Sequence, residues 1–185
     1  MRDEAVPPAA KLVRDFINTF EPQVGEESLT APDRLRDWFA ERQLLPAGAR
    51  LSASDLATAV TVREGLRAVL LGHAGHTGDP AAVEALDRAL AGVPVRLAFT
   101  DAGCRLVSTR TSAFHIAMAG LLDAVRQSGE DGTWGRLKVC DRDTCRWAFY
   151  DASRNQVRRW CSMAGCGNYV KMRRAAATRK ARATL

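Results

Sequence analysis

The chain has 185 residues, 46% of them hydrophobic and 26% charged, with a net charge of +6. These proportions are ordinary for a globular protein and argue against a disordered or fibrous chain. No apolar run approaches the roughly 20 residues that span a bilayer. The charged start Met1-Arg2-Asp3-Glu4 has no secretory pattern, so a cytoplasmic protein without a membrane partner is expected.

Taken in chain order, residues 7–20 place Leu12, Val13, Phe16, Ile17 and Phe20 at helical spacing, and Glu21-Pro22 ends that helix. A second helix is predicted over 31–45, with Pro32 in its first turn and Leu35, Trp38 and Phe39 on one face. Caps at Ser52-Ala53-Ser54-Asp55 open a long third helix that ends near Gly72, and Asp79-Pro80 opens a fourth reaching about Leu90. Residues 93–100 and 104–109 read as a hairpin turning at Asp101-Ala102-Gly103, with Cys104 expected as a buried small hydrophobe. A fifth helix follows from Ser112 to about Ser128. Ser128-Gly129-Glu130-Asp131-Gly132 is expected as a flexible polar boundary. The fold class is therefore α+β: a mainly helical domain over 1–130 with one hairpin, then a small module over 131–185.

Charge divides at the same place. Residues 136–185 hold 13 Lys/Arg against three Asp/Glu, whereas the other 135 residues hold 14 against 18. A basic end on a near-neutral body suits a polyanion, because clustered Lys/Arg releases counterions from nucleic acid, although a solvated charged face has the same composition.

Within that basic end, Cys140 and Cys145 form one short-loop pair, and Cys161 and Cys166 another, fifteen residues later. Zinc takes four tetrahedral ligands, and two such pairs supply them. One structural Zn2+ is expected, since none of the three histidines lies in this segment to leave an open catalytic position. Residues 146–150 read as a strand, and Asp151-Ala152-Ser153 as a turn into a short helix with Ser153 and Gln156 as a capping box. Asn168 is expected to cap a helix starting at Tyr169. The finger is thus expected to be treble-clef-like or ribbon-like.

With those residues in view, the segment from Cys140 to Lys171 resembles the CGNR zinc-finger family. The resemblance rests on Trp147-Ala148-Phe149-Tyr150-Asp151, Ser153-Arg154-Asn155, Arg158-Arg159-Trp160-Cys161-Ser162-Met163, and Cys166-Gly167-Asn168 with Lys171. The family's namesake Arg is Tyr169 here, which places its role in question, although Lys171, Arg173 and Arg174 could stand in. Upstream, Asp15-Phe16-Ile17-Asn18-Thr19 and Arg63-Glu64-Gly65-Leu66-Arg67 are similar to motifs of the family's N-terminal, ABATE-like regulatory domain. The resemblance implies a bacterial zinc-dependent, DNA-binding transcriptional regulator.

The residues allow three functional classes. In the first, Arg154 and Arg158 on one face of the short helix, with Arg159, Lys171, Arg173 and Arg174, contact nucleic acid, DNA in preference to RNA, and paired half-sites would call for a homodimer. In the second, the finger mediates protein association while the first domain binds a small-molecule effector through Asn18, Trp38 and Arg63, polar groups on core-facing helical positions. An enzyme is not expected, because no phosphate loop, nucleophile elbow or His-Glu-x-x-His motif is present.

Overall fold

The computed structural model describes residues 6–46, 48–101 and 103–183. Its first part comprises α1 (Pro8–Ile17), a two-residue ladder of β1 (Phe20–Glu21) with β2 (Glu26–Glu27), α2 (Pro32–Glu41), α3 (Ala53–His73) and α4 (Pro80–Ala91). Proline at the first position opens α1, α2 and α4, where its missing N–H is no loss. A complete capping box opens α3: Ser52 Oγ accepts from the Asp55 N–H while the Asp55 carboxylate accepts from the Ser52 N–H. Both α1 and α2 stop short of expectation. Asn18 leaves the helix to face another element, and Gln43 adopts φ 58°.

The hairpin follows as β3 (Val95–Thr100) and β4 (Gly103–Ser108), paired antiparallel from Val95↔Ser108 to Thr100↔Gly103. Gly103 has φ 126°, a conformation open to glycine; Ala102 of the predicted turn lies outside the described residues. Cys104 is only half-buried, with the Arg126 guanidinium 3.9 Å from its sulfur. Next comes α5 (Ala113–Glu130), capped by Ser112. It covers the first three residues of the expected flexible boundary, where Ser128 is fully buried and its carbonyl accepts the Thr133 N–H at 2.9 Å.

The C-terminal part consists of β5 (Leu137–Val139) paired antiparallel with β6 (Ala148–Tyr150), then a turn, Met163–Gly167, that runs into α6 (Asn168–Ala183). A hairpin carrying one cysteine pair and a helix start carrying the other make this the treble-clef-like alternative. One apolar core joins the two parts: Phe16 and Ile17 of α1, Leu35 and Phe39 of α2, Val62 and Leu70 of α3 and Met118 and Leu121 of α5 are continuous with Leu137, Val139 and Ala148. Gly65 lets α3 and α4 meet, since a Cβ there would collide with the Leu86 side chain. Among the described residues no helix is long and apolar enough to cross a membrane.

Candidate metal centre and nucleic-acid interface

Each cysteine pair sits in a turn that the local sequence builds. The Cys145 and Arg146 N–H groups both reach the Arg142 carbonyl, at 2.9 and 3.2 Å, and Arg146 takes φ 48° to close the first knuckle. The Cys140 N–H donates to the Trp147 carbonyl at 2.9 Å, extending the β5–β6 ladder toward the ligands. In the second pair, Ser162 Oγ accepts from the Gly165 N–H at 3.2 Å and caps the turn before α6. Asn168 is therefore not the cap; it lies inside the helix at φ −62°, and its Nδ2 donates to the Ala164 carbonyl. At Gly167 a Cβ would lie 2.9 Å from Met163 Sδ, so the exposed Met163 side chain would have to shift to admit one.

The four sulfurs of Cys140, Cys145, Cys161 and Cys166 all lie within 4.8 Å of one another. The Cys145–Cys161 and Cys161–Cys166 separations are both 3.8 Å. A tetrahedral site with Zn–S bonds of about 2.3 Å has edges of about 3.8 Å, whereas a disulfide would need about 2.05 Å. Hydrogen bonds from the Cys145 and Cys161 thiols, aided by the backbone N–H groups of Cys161 and Arg142, pull the Cys140 thiol down to about 2. The same contacts with Cys140 push the Cys145 thiol up to about 12, and raise that of Cys161. Close-packed thiolates repel one another, and a cation shared among the four sulfurs relieves that repulsion. The four cysteines are placed to hold one metal ion, and an all-sulfur set with no open position suits a structural zinc.

The connection over 151–160 contains no helix, which overturns the predicted short helix and its capping box. Fully buried Asp151 takes over the groups that would have built it. Its carboxylate accepts from the Ser153 N–H and Oγ, at 3.0 and 2.5 Å, and from the Arg158 N–H at 2.9 Å. Lys138 Nζ donates to Asp151 at 3.0 Å and also to the Gln156 carbonyl, where the backbone has φ 51°. Burial would raise the Asp151 carboxyl, but the hydrogen bonds from Ser153, Lys138 and Arg158 outweigh it and hold the pKa down to about 2.

This loop separates the predicted nucleic-acid contacts. Arg158, expected to contact nucleic acid, is half-buried, and its guanidinium donates to the Trp160 and Cys161 carbonyls, bracing the second knuckle. Arg154 is exposed but shares no helical face with it. Arg159 pairs with Asp141 at 2.5 Å, and His76 Nε2 lies 2.7 Å from the other oxygen of that carboxylate without aligning its ring N–H. Lys171, Arg173 and Arg174 are exposed on α6.

Sequence reasoning missed Arg142. Its guanidinium lies 3.8 Å from the centre of the Tyr169 ring and 4.0 Å from Cys166 Sγ, so a cation stands beside the aromatic that replaces the namesake Arg. Its place inside the first knuckle loop was the available signal.

Asn18, Trp38 and Arg63, the expected ligand-pocket residues, each have partners within the chain. Asn18 exchanges two hydrogen bonds with the Ala148 backbone, each 2.8 Å. Trp38 packs in the core against Phe16 and Phe39. Arg63, 2% exposed, is held by both Glu27 oxygens at 2.8 and 2.7 Å, by Glu64 and by Thr19. Polar groups at core-facing positions are satisfied internally here, the usual outcome for buried polar atoms. Arg67 extends this network, donating to the Ile17, Phe20 and Arg146 carbonyls.

Comparison with known families accounts for this arrangement. The family model ABATE, described as "Putative stress-induced transcription regulator", matches residues 10–129. The chain belongs to the ABATE family. A second model, the CGNR zinc finger, matches residues 136–179, the segment that carries all four cysteines. A search of curated proteins found no match to the chain.

Proposed function

We propose that this ABATE–CGNR protein is a DNA-binding transcription regulator whose main contact element is α6, held in place by the zinc centre. The observation that carries the reading is the helix itself. Its 16 residues include Lys171, Arg173, Arg174, Arg179, Lys180 and Arg182 and no Asp or Glu, and every residue from Lys171 to Lys180 is exposed. A helix of that length extends about 24 Å, and the major groove of DNA, about 12 Å wide, admits one. Zinc supplies the rigidity that so small a module cannot obtain from apolar burial, and the cysteines contribute no catalytic step. Phosphate contacts by these cations would position the protein, possession of a preferred site depending on base-edge contacts or on a homodimer reading paired half-sites.

The ABATE region is assigned the effector-sensing role. A cavity of about 410 Å³ beside α1 and α5, lined by Lys11, Leu12, Asp15, Arg42, Gly120 and Gln127, is the place for a small amphipathic molecule in that reading. A second reading, a protein-association finger, is favoured by Val157, Met163 and Met172, which expose 74, 59 and 72% of their surface around the metal module.

Titration of the zinc-loaded chain against DNA duplexes over a salt series tests the first reading. Binding that falls steeply with salt and disappears in Cys161→Ala supports it. An absence of duplex binding at low salt would remove it and favour protein association.

A further inference from the structure

A cleft of about 300 Å³ lies between the first knuckle and the opening turns of α6, lined by Asp141, Arg142, Thr144, Arg159, Tyr169, Arg173 and Arg174 among others. Four of these are arginines, and the carboxylates beside them are already engaged. Asp141 is shared by Arg159 and His76, and Asp143 pairs with Arg146 at 2.8 Å. Among the described residues, no carboxylate pairs with Arg142, Arg173 or Arg174.

Arg142 is also held in place. Its Nε donates to Thr144 Oγ1 at 2.9 Å, one Nη faces the Cys166 sulfur, and its plane rests on the Tyr169 ring. The Arg173 guanidinium lies 5.9 Å from the centre of the same ring. Arg142 faces the Cys166 sulfur, but no carboxylate offsets Arg173, so the two guanidinium groups on one aromatic ring repel each other and favour an anion between them. The planar fork of arginine matches the tetrahedral oxygens of a phosphate, and after the bonds to Thr144 and Cys166, Arg142 still has N–H donors to offer.

We propose that this cleft seats one DNA backbone phosphate, bound by Arg142 together with Arg173 and Arg174, with Tyr169 as the platform that aligns the guanidinium groups. The proposal rests on the DNA-binding reading above and adds a residue, Arg142, that fixes where the backbone crosses the finger. A phosphate anchored beside the metal sets the register of α6, so the distal cations Arg179 and Arg182 contribute attraction but not position.

The test uses the zinc-loaded full chain and a 20-bp duplex of arbitrary sequence, with Kobs measured from low to moderate salt. Arg142→Lys keeps the charge but loses the fork, and Arg173→Gln with Arg174→Gln removes two of the cleft's donors. Each variant is expected to keep one zinc per chain and lose roughly tenfold or more in affinity, with the log–log salt slope of the double variant falling by about one. Arg179→Gln with Arg182→Gln should lose less. Wild-type affinity and slope in both cleft variants, alongside a loss in the distal variant, would overturn the cleft while leaving DNA binding by α6 standing. No duplex binding by the unsubstituted protein would remove both. Displacement of the duplex by inorganic phosphate at low millimolar concentration would make the cleft a free-anion site and overturn the backbone assignment.

Discussion

Asn18, just past the end of α1, and Ala148, at the start of β6, are 130 positions apart and exchange two 2.8 Å hydrogen bonds. The β5–β6 ladder leaves the backbone edge at Ala148 without a strand neighbour, and the Asn18 amide pairs with it as another strand would. Asn18 therefore ties the helical region to the finger at a point three residues from Cys145, beside the Arg67 contact with the Arg146 carbonyl.

Asn18→Ala should leave both the Ala148 N–H and its carbonyl unpaired in a half-buried setting, a loss of about 2–4 kcal/mol. Thermal unfolding of the zinc-loaded protein should show a Tm lower by several degrees. Asn18→Asp, which keeps the acceptor and loses the donor, should fall between. A Tm unchanged in both variants would mean the clamp contributes nothing to stability.

Arg158→Ala should loosen the second knuckle, because the Trp160 and Cys161 carbonyls lose their guanidinium donor. The expected readout is faster loss of zinc to a chelator, with the exposed Arg154→Ala as the control that exchanges at the wild-type rate. Equal rates in the two variants would remove the bracing role assigned to Arg158.

The Asp151 carboxyl, held down to about 2 from an ordinary 3.8, stabilises the folded state only while it is ionised. The unfolded chain binds its proton first as pH falls, so this contribution is complete above about pH 4 and is lost as pH drops toward 2. Asp151→Asn should cost about 3 kcal/mol at neutral pH, because Lys138, with 7% of its side chain exposed, loses its counter-charge. Comparing urea midpoints of the two proteins at neutral pH and at pH 3 tests the sign: the gap should narrow in acid.

Zinc removal should not leave an intact ABATE region beside a melted finger. Leu137, Val139 and Ala148 belong to the same core as Phe16, Val62 and Leu121, so releasing the metal weakens packing on α1 and α3 as well. A chelated sample, or Cys161→Ser, is expected to unfold at lower temperature with near-UV signals of Trp134 and Trp147 lost together. A metal-free protein with the holo Tm would contradict this coupling.

The amino-acid sequence by itself determined the local features: five helices with their Pro and Ser starts, the β3–β4 hairpin, and four cysteines whose paired spacing restricts them to one ion. Those rest on interactions within a few residues, so periodicity and turn chemistry carry them. Only tertiary structure decided what Asn18, Arg63, Arg142 and Asp151 do. Ser153 and Gln156 have the pattern of a capping box, yet Asp151 captures the Ser153 hydroxyl and the Arg158 N–H while Lys138 takes the Gln156 carbonyl, and no helix forms. Asn18 and Arg63 read as core-facing polar groups in need of a partner or a ligand, and which of the two was not legible because their acceptors, Ala148 and Glu27, are supplied by other elements. A buried polar group must be satisfied, but the sequence does not say by which distant segment; packing of β6 against α1 makes that choice.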